Sequence, residues 1–188
     1  EGPLAAGIVN LFRARGLKIF GPTREAAQLE SSKDFAKAFM QRHHIPTAKY
    51  QSFSDAAAAH AYIDANGAPI VIKADGLAAG KGVVVTPDRA EALAHAEACF
   101  AAGGTVVIED FLDGPEVSLF VICDGEDAVA LTPAQDFKRI HDGDAGPNTG
   151  GMGAYTPLPW LPEGFTDEVM DRVARPVLAE MARRGTPF

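Results

Sequence analysis

The segment from residue 70 to residue 85 constrains the fold more strongly than any other part of the chain. Two runs of β-branched side chains, residues 70–72 and 83–85, favour β-strands. Three glycines between the runs allow a tight turn that a large anion can approach: Gly76, Gly80 and Gly82. The sequence therefore predicts a β-hairpin with a glycine-rich tip.

Lysines stand at both ends of this glycine-rich tip. Lys73 closes the first run, and Lys81 lies just before the second. Ammonium groups beside backbone N–H groups suit a polyphosphate. A P-loop is excluded, because Asp75 and Gly82 occupy the positions where that motif needs its first glycine and its hydroxyl residue. The alternative is a plain hairpin whose two lysines are solvated.

The composition is that of an ordinary globular protein and argues against several classes of partner. The chain has 188 residues, 47% of them hydrophobic, which is enough for one or two domains. Its net charge of −8 argues against nucleic acid or an anionic membrane as the main partner. The sequence shows no apolar run of membrane-spanning length and no signal-peptide pattern.

The two cysteines and the first residue bear on the setting of the chain. Cys99 and Cys123 each lie in apolar sequence, which predicts two buried, reduced thiols and a cytoplasmic location. Because the chain opens with Glu1 in the middle of a helical pattern, we expect it to be part of a longer protein.

The hydrophobic pattern predicts a small α+β module over residues 46–109, in the order β-α-β-β-α-β. Before it, a helix and a strand at residues 17–20 resemble the end of a preceding α/β domain. Ser31 and Asp34 form a capping box for the next helix, and Lys33 lies in its first turn. A cation there opposes the helix dipole, so Lys33 either meets an anion or is solvated.

Beyond residue 109 the sequence predicts a hinge, a β-hairpin and a closing helix. A turn at residues 113–115 marks the hinge. Residues 117–123 are apolar on both faces, so we expect a strand that is covered on both sides. Residues 166–184 have a helical apolar stripe, and we expect Pro176 to kink that helix.

The segment from residue 134 to residue 156 is charged, rich in glycine and long for a connection. Long ordered loops of this kind are usually functional. Arg139 and Asn148 within it are side chains that fix a carboxylate or a phosphate by paired hydrogen bonds. The alternative is a flexible surface loop.

Three motifs in order resemble one enzyme family. They are Lys-Ala-Asp-Gly-Leu-Ala-Ala-Gly-Lys-Gly-Val at 73–83, Val-Ile-Glu-Asp-Phe-Leu-Asp-Gly at 107–114, and Gly-Pro-Asn-Thr-Gly-Gly-Met-Gly-Ala-Tyr at 146–155. Together they resemble the phosphoribosylamine–glycine ligases, or glycinamide ribonucleotide synthetases, which are ATP-grasp enzymes of purine biosynthesis. The resemblance implies a ligase that joins glycine to 5-phosphoribosylamine through a glycyl phosphate, with ATP and Mg²⁺ or Mn²⁺.

The resemblance also implies the fold class and the domains. The fold class is α+β or α/β, an ATP-grasp fold that follows the end of a Rossmann-like α/β domain. Residues 1–22 would be the tail of that domain and 23–45 a linker helix. Residues 46–112 would form the ATP-grasp lid, and 113–188 the start of an incomplete catalytic subdomain.

Roles for the nucleotide side follow from the matching positions. The matching residues are Lys33, Lys73, Gly76, Gly80, Lys81, Gly82, Glu109, Asp110, Phe111, Leu112 and Glu116. By resemblance, Lys33 and Lys73 contact the nucleotide and the glycine loop with Lys81 covers the phosphates. The backbone of residues 109–112 would bind adenine, and Glu116 would bind the ribose hydroxyls.

Roles for the substrate side rest on the third motif and the residues before it. The matching residues are Asp136, Lys138, Arg139, Asn148, Thr149, Gly150 and Gly151. Of these, Lys138, Arg139 and Asn148 are the expected catalytic residues. The resemblance implies no metal ligand within this chain and places the magnesium ligands beyond Phe188.

Two other functions fit the same residues. One is a different ATP-grasp carboxylate–amine ligase, in which the hinge and the glycine loop would serve equally well. The other is a nucleotide-binding module without catalysis. The expected partners are small molecules, glycine and 5-phosphoribosylamine, with neither nucleic acid nor membrane.

Overall fold

The computed structural model describes residues 1–77, 82–143 and 145–188, with the backbone alone at residues 147 and 148. The chain divides into two compact units. The first unit comprises residues 1–2 and 28–113, and the second comprises residues 3–27 and 114–188. The four-part domain division expected from the sequence stays a prediction.

Two short helices open the chain, α1 (Gly2–Ala5) and α2 (Ile8–Ala14). Val9 of α2 is fully buried. The strand expected at residues 17–20 is wrong, because these residues have no regular secondary structure. A strand needs a neighbour for its backbone hydrogen bonds, and none of the described strands pairs with this segment.

The first unit contains the predicted β-α-β-β-α-β order, which is confirmed. Its elements are α3 (Gln28–Ser31), α4 (Lys33–Arg42), β1 (Tyr50–Phe53), α5 (Ala56–Asn66), β2 (Ile70–Ala74), β3 (Val83–Thr86), α6 (Arg89–Ala101) and β4 (Val106–Asp110). The expected capping box is wrong by one residue. Ser31 ends α3, and Ser32 caps α4 by accepting a 3.1 Å hydrogen bond from the Phe35 N–H.

The four strands form one antiparallel sheet in the order β1-β4-β2-β3. Ile72 pairs with Ile108, and both belong to the core that α5 and α6 cover. Successive side chains of a strand point to opposite faces, and directly paired residues share a face. Lys73 and Glu109 therefore lie together on the other face of the sheet, since Lys73 pairs with Val107 and Val71 pairs with Glu109.

The second unit continues with short strands and a long helical segment. Its elements are β5 (Val121–Cys123), β6 (Ala128–Ala130), β7 (Gln135–Asp136), β8 (Arg139–His141), β9 (Ala145–Asn148), β10 (Ala154–Tyr155), α7 (Phe165–Val169), a π-helical segment (Met170–Ala174) and α8 (Arg175–Arg183). The strands pair as β5–β6, β7–β10 and β8–β9. Within the described residues, every helix is too short or too polar to cross a lipid bilayer.

Two predictions for the second unit are corrected. Only residues 121–123 of the expected longer strand are regular, and the cover expected on both faces is wrong. Phe120 is 65% exposed and Ile122 is 54% exposed, because this sheet has two strands and one open apolar face in the described structure. Pro176 lies in the first turn of α8, directly after the π-helical segment Met170–Ala174. The kink expected at Pro176 stays a prediction.

Candidate functional site

The first unit contains a cavity of about 410 Å³ lined by three lysines and three glutamates. The lysines are Lys33, Lys37 and Lys73, and the glutamates are the buried Glu109 and the exposed Glu1 and Glu30. Apolar side chains complete part of the wall: Leu29, Met40, Leu77 and Val83. Such a cavity suits a ligand with an anionic end and an apolar body.

The helix α4 and the central strands place these charges. Lys33 and Lys37 are one turn apart, so both lie on the same side of α4. Lys73 comes from β2 and Glu109 from β4, on the sheet face opposite the core. The site is therefore set by a helix packed over regular strands, which fixes side chains more firmly than a loop does.

Glu109 holds two lysines with its two carboxylate oxygens. Lys37 Nζ lies 2.8 Å from Oε2, and Lys73 Nζ lies 2.9 Å from Oε1. The side chains of Lys37 and Glu109 are 9% and 6% exposed, whereas that of Lys73 is 27% exposed. The resemblance implies a role for the backbone of Glu109, and the structure adds that its carboxylate lies at the centre of a buried charge network.

Sequence reasoning missed Lys37. Its ammonium group also donates to Thr47 Oγ1 at 2.7 Å and to the Ala48 carbonyl at 3.4 Å. The signal that could have found it is its spacing of four residues from Lys33, beside the apolar Ala36 and Met40 that line the same cavity. A lysine at that spacing falls within the inward face of the helix.

Asp75 was singled out only to exclude a P-loop, yet it joins the glycine loop to α4. Its carboxylate accepts hydrogen bonds from the Asp34 N–H at 3.2 Å and from Ser32 Oγ at 3.2 Å. An anion at that end of a helix is favourable, because the first N–H groups have no partner within the helix. A carboxylate that directly follows β2 therefore adds to the amino-terminal cap that Ser32 provides.

Lys33 lies beside this cap and donates to the Gly76 carbonyl at 2.7 Å. Gly76 has a φ of 89°, a backbone conformation that residues other than glycine rarely adopt. A Cβ added there would meet no atom within 4 Å, so the need for glycine is conformational. Gly82 closes the base of the hairpin, where its carbonyl accepts from the Ala74 N–H at 2.7 Å.

Part of the predicted nucleotide set lies outside the described residues or away from the lining of the cavity. Gly80 and Lys81 lie outside the described residues. Asp110 ends β4 and donates its N–H to the Lys49 carbonyl at 2.9 Å. Phe111 and Leu112 follow with exposed side chains. The adenine-binding role of residues 109–112 stays a prediction.

The second unit gathers a different set of predicted residues. Lys138 Nζ donates to the Glu116 carboxylate and lies 3.7 Å from Asp136 Oδ2. The hydrogen bond to Glu116 raises the pKa of Lys138 above its ordinary value. All three side chains are open to solvent to a considerable extent.

The loop after Lys138 is held by its own hydrogen bonds. Arg139 pairs with Asn148 in the β8–β9 ladder, and its guanidinium donates to the Gly146 carbonyl at 3.4 Å. Thr149 donates its N–H and its hydroxyl to the Lys138 carbonyl, at 2.6 Å and 2.9 Å. The Asn148 side chain lies outside the described atoms. Gly150 and Gly151 are exposed, and Thr149 Oγ1 accepts from the Gly151 N–H.

In the described ranges, no group of three or more His, Cys, Asp and Glu residues is placed to hold a metal ion. A magnesium ion that binds with a nucleotide needs only one or two carboxylates beside the phosphates. The metal ligands that the resemblance implies beyond Phe188 therefore stay a prediction.

The comparisons with known proteins agree with one another. Residues 31–188 match the family model described as phosphoribosylglycinamide synthetase, ATP-grasp (A) domain. The whole chain is similar to the phosphoribosylamine–glycine ligase of Ralstonia nicotianae, with 61% identity, and to that of Leifsonia xyli subsp. xyli, with 57% identity. It covers 46% and 45% of those proteins, so the chain spans about half the length of the curated relatives it matches.

Solved structures show the same likeness. A crystal structure of phosphoribosylamine–glycine ligase from Thermotoga maritima matches 89% of the chain, with a TM-score of 0.81 and 36% identity, over 44% of that protein. D-alanyl-alanine synthetase A from Vibrio cholerae matches 95% of the chain and 56% of that protein, with a TM-score of 0.75. At 16% identity the second match shows the fold alone. The ATP-grasp fold expected from the sequence is confirmed.

Proposed function

The chain belongs to the phosphoribosylglycinamide synthetase family through its ATP-grasp (A) domain, and from that premise we propose that it carries the nucleotide-binding part of an ATP-dependent phosphoribosylamine–glycine ligase. The observation that carries the proposal is the cavity in which Lys33 and Lys73 converge beside the buried Glu109. Its two partly exposed ammonium groups suit the phosphates of ATP.

The proposed reaction needs an activated carboxylate. A carboxylate oxygen of glycine attacks the γ-phosphorus of ATP, the bond to the bridging oxygen breaks, and ADP leaves. The amine of 5-phosphoribosylamine then attacks the acyl carbon, phosphate leaves with its oxygen, and the nitrogen loses a proton. The products are glycinamide ribonucleotide, ADP and phosphate. The first step joins two anions, and the second releases an anionic phosphate, so positive charge placed in advance lowers both barriers.

The chain's own residues would orient the nucleotide. We assign the phosphate contacts to Lys33, Lys73 and the glycine loop, and the adenine contacts to the backbone of residues 109–112. Glu116 would hold the ribose hydroxyls. The phosphate assignment is supported by the placement of both lysines on the cavity wall, and by the positive φ that keeps the Gly76 backbone open.

The substrate side is assigned to the second unit. We assign Asp136, Lys138, Arg139 and the loop of Asn148, Thr149, Gly150 and Gly151 to the binding of glycine and 5-phosphoribosylamine. The hydrogen bonds that tie Thr149 to Lys138 support a loop of fixed shape. The guanidinium of Arg139 offers paired donors for a carboxylate or a phosphate.

A cytoplasmic setting is part of the proposal. Both cysteines are free, and burial raises the pKa of the Cys99 thiol, which makes it a poor nucleophile. Two unpaired thiols are typical of proteins in a reducing compartment.

The test is glycine-dependent ADP formation by the full-length protein with ATP, a divalent metal and 5-phosphoribosylamine. We expect turnover with glycine and little with D-alanine, because other ATP-grasp ligases share the fold but not the acid. Nucleotide binding without amine-dependent turnover would replace the ligase with a binding module. Turnover with another amino acid in preference to glycine would place the chain among the other carboxylate–amine ligases.

A further inference from the structure

The two lysines paired with Glu109 differ in whether they have N–H donors left for a ligand. Lys37 Nζ has three N–H bonds and three acceptors: Thr47 Oγ1 at 2.7 Å, Glu109 Oε2 at 2.8 Å and the Ala48 carbonyl at 3.4 Å. Its side chain is almost completely buried. Lys37 therefore has no donor left for a ligand, although it lines the cavity.

Lys73, in contrast, still has donors for a ligand. Within the described part of the chain, Glu109 is its ion-pair partner, and its side chain keeps a clear opening to the cavity. Its 2.9 Å contact with Oε1 is an ion pair outside hydrogen-bond geometry, since Oε1 has no hydrogen-bond partner among the described atoms. The N–H bonds of Lys73 are therefore available to an anionic ligand. The carboxylate of Glu109 thus sets the position of the ammonium group that can meet a phosphate.

The charge balance of the three side chains depends on Lys37. One carboxylate shared by two ammonium groups leaves a net charge of +1 in the network. Without Lys37, Glu109 and Lys73 would form a neutral pair, and the carboxylate would be free to turn towards Lys73 or the cavity. Both changes would reduce the attraction of the cavity for an anion, since charges act strongly where water is excluded.

The contacts of Lys37 also fix where it stands. Thr47 and Ala48 lie in the segment that leads into β1, and the Lys37 ammonium lies 5.7 Å from the centroid of the Tyr50 ring. A cation over an aromatic face is attracted by the ring electrons. Lys37 is therefore held by α4, by the segment before β1 and by β4, and it has little freedom to turn into the cavity.

We propose that Lys37 is a positioning residue for nucleotide binding, which acts through Glu109 and not through contact with the nucleotide. By holding Oε2, it fixes the carboxylate that orients Lys73 and preserves positive charge on the cavity wall. This inference rests on the proposed function, since it assumes that the anion is the phosphate end of ATP.

The test is a double-mutant cycle in the full-length protein. The variants are Lys37→Met, Glu109→Gln and the double variant, with Lys49→Met as a matched control, because Lys49 is an exposed lysine outside the network. The dissociation constant for ATP is measured by calorimetry without glycine, and the thermal midpoint is measured on the same samples. Calorimetry separates a loss of affinity from a loss of stability.

We expect Lys37→Met to weaken ATP binding by about tenfold or more, because Lys73 loses charge and orientation. In the Glu109→Gln background, the same change should weaken binding by less than about threefold, since the carboxylate through which Lys37 acts is absent. Lys49→Met should leave both measurements unchanged.

The outcomes separate three cases. A lower thermal midpoint with an unchanged ATP dissociation constant in Lys37→Met would overturn the inference and leave Lys37 a structural residue. A tenfold loss in the Glu109→Gln background would also overturn it, by placing Lys37 on the nucleotide. If either single variant does not fold, the double variant, which leaves neither Lys37 nor Glu109 as an unpaired buried charge, is compared with wild type. Because Lys73 keeps its charge there, ATP should bind within about tenfold of wild type, and a greater loss would overturn the inference. A wild-type protein that does not bind ATP would remove the proposed function, and this inference with it.

Discussion

The two charged clusters of this chain use the same residue types in opposite surroundings. In the first unit, Glu109 joins Lys37 and Lys73 with side chains that are 6%, 9% and 27% exposed. In the second unit, Lys138 joins Glu116 and Asp136 with side chains that are 45%, 56% and 30% exposed. Buried charges are costly unless each is paired, whereas exposed pairs are screened by water and salt. The first cluster should therefore be rigid and essential to stability, and the second adjustable.

The secondary structure explains the contrast. Glu109 and Lys73 stand on the two central strands of a four-stranded sheet, so their backbones are fixed on both sides. Asp136 ends a two-residue strand, and Glu116 and Lys138 lie outside the regular strands. A site that must hold phosphate charge in a fixed place suits the first arrangement, and a site that admits substrates suits the second.

The largest expected effect is that of Glu109→Ala. The change leaves Lys37 buried without a counter-charge, so we expect the free energy of unfolding to fall by about 3–5 kcal/mol. Urea unfolding followed by circular dichroism measures it. The matched change Glu116→Ala in the exposed cluster should cost about 0–1 kcal/mol. Equal losses of unfolding free energy at the two positions would contradict the contrast between the buried and the exposed cluster.

The next effect is that of Lys73→Ala on nucleotide affinity. A charge-assisted contact with a phosphate contributes about 1.5–3 kcal/mol, so ATP should bind about ten- to a hundredfold more weakly. Calorimetry on the full-length protein measures this, with Lys49→Ala as the control. An ATP affinity within about twofold of wild type would mean that Lys73 serves only its ion pair with Glu109.

Asp75→Ala probes the cap on α4. The helix would lose the carboxylate that accepts from the Asp34 N–H and from Ser32 Oγ. We expect a loss of about 0.5–2 kcal/mol in the free energy of unfolding, as for other amino-terminal caps. Asp75→Asn keeps an acceptor oxygen and should lose less. If the two variants are equally unstable, the negative charge and not the hydrogen bond stabilises the helix.

The smallest effect concerns the pH dependence of the exposed cluster. The pKa of Lys138 is raised in the folded chain, chiefly by its hydrogen bond to Glu116. Its contribution is therefore complete below the ordinary lysine pKa, and it is lost as pH rises through the higher, folded-state value. Because the pair is exposed, Lys138→Met should cost about 0.2–1 kcal/mol at neutral pH, and less in high salt. Unfolding curves from neutral to alkaline pH should converge for the two proteins, and a difference that grows with pH would contradict the assignment.

The pattern of β-branched residues was enough to predict the order of elements in the first unit. Runs such as residues 70–72 and 83–85 need only local preference and burial to become strands. Residues 17–20 have a similar apolar character but no pairing partner in the described structure, and no local rule supplies one. Strand pairing depends on distant residues, which explains the difference between the two outcomes.

The site was predicted less completely than the fold, for the same reason. Lys33 and Lys73 were singled out by the glycine loop and by family resemblance. Lys37 and the role of Asp75 depend on the β2–β4 register and on the approach of α4 to β2, which the sequence does not state. For Glu109, the resemblance implied a backbone role that stays a prediction, and the ion pairs of its carboxylate were not predicted.

The claim that the lysine-lined cavity binds ATP is tested most directly by finding which backbone amides ATP protects from hydrogen exchange. Hydrogen exchange followed by mass spectrometry, with and without ATP, reports this for each segment of the full-length protein. We predict slower exchange in residues 28–42, 70–77 and 106–113, which carry the lysine-lined cavity and the expected hinge. Saturating ATP that leaves exchange in all three segments unchanged would contradict the claim that this cavity binds the nucleotide.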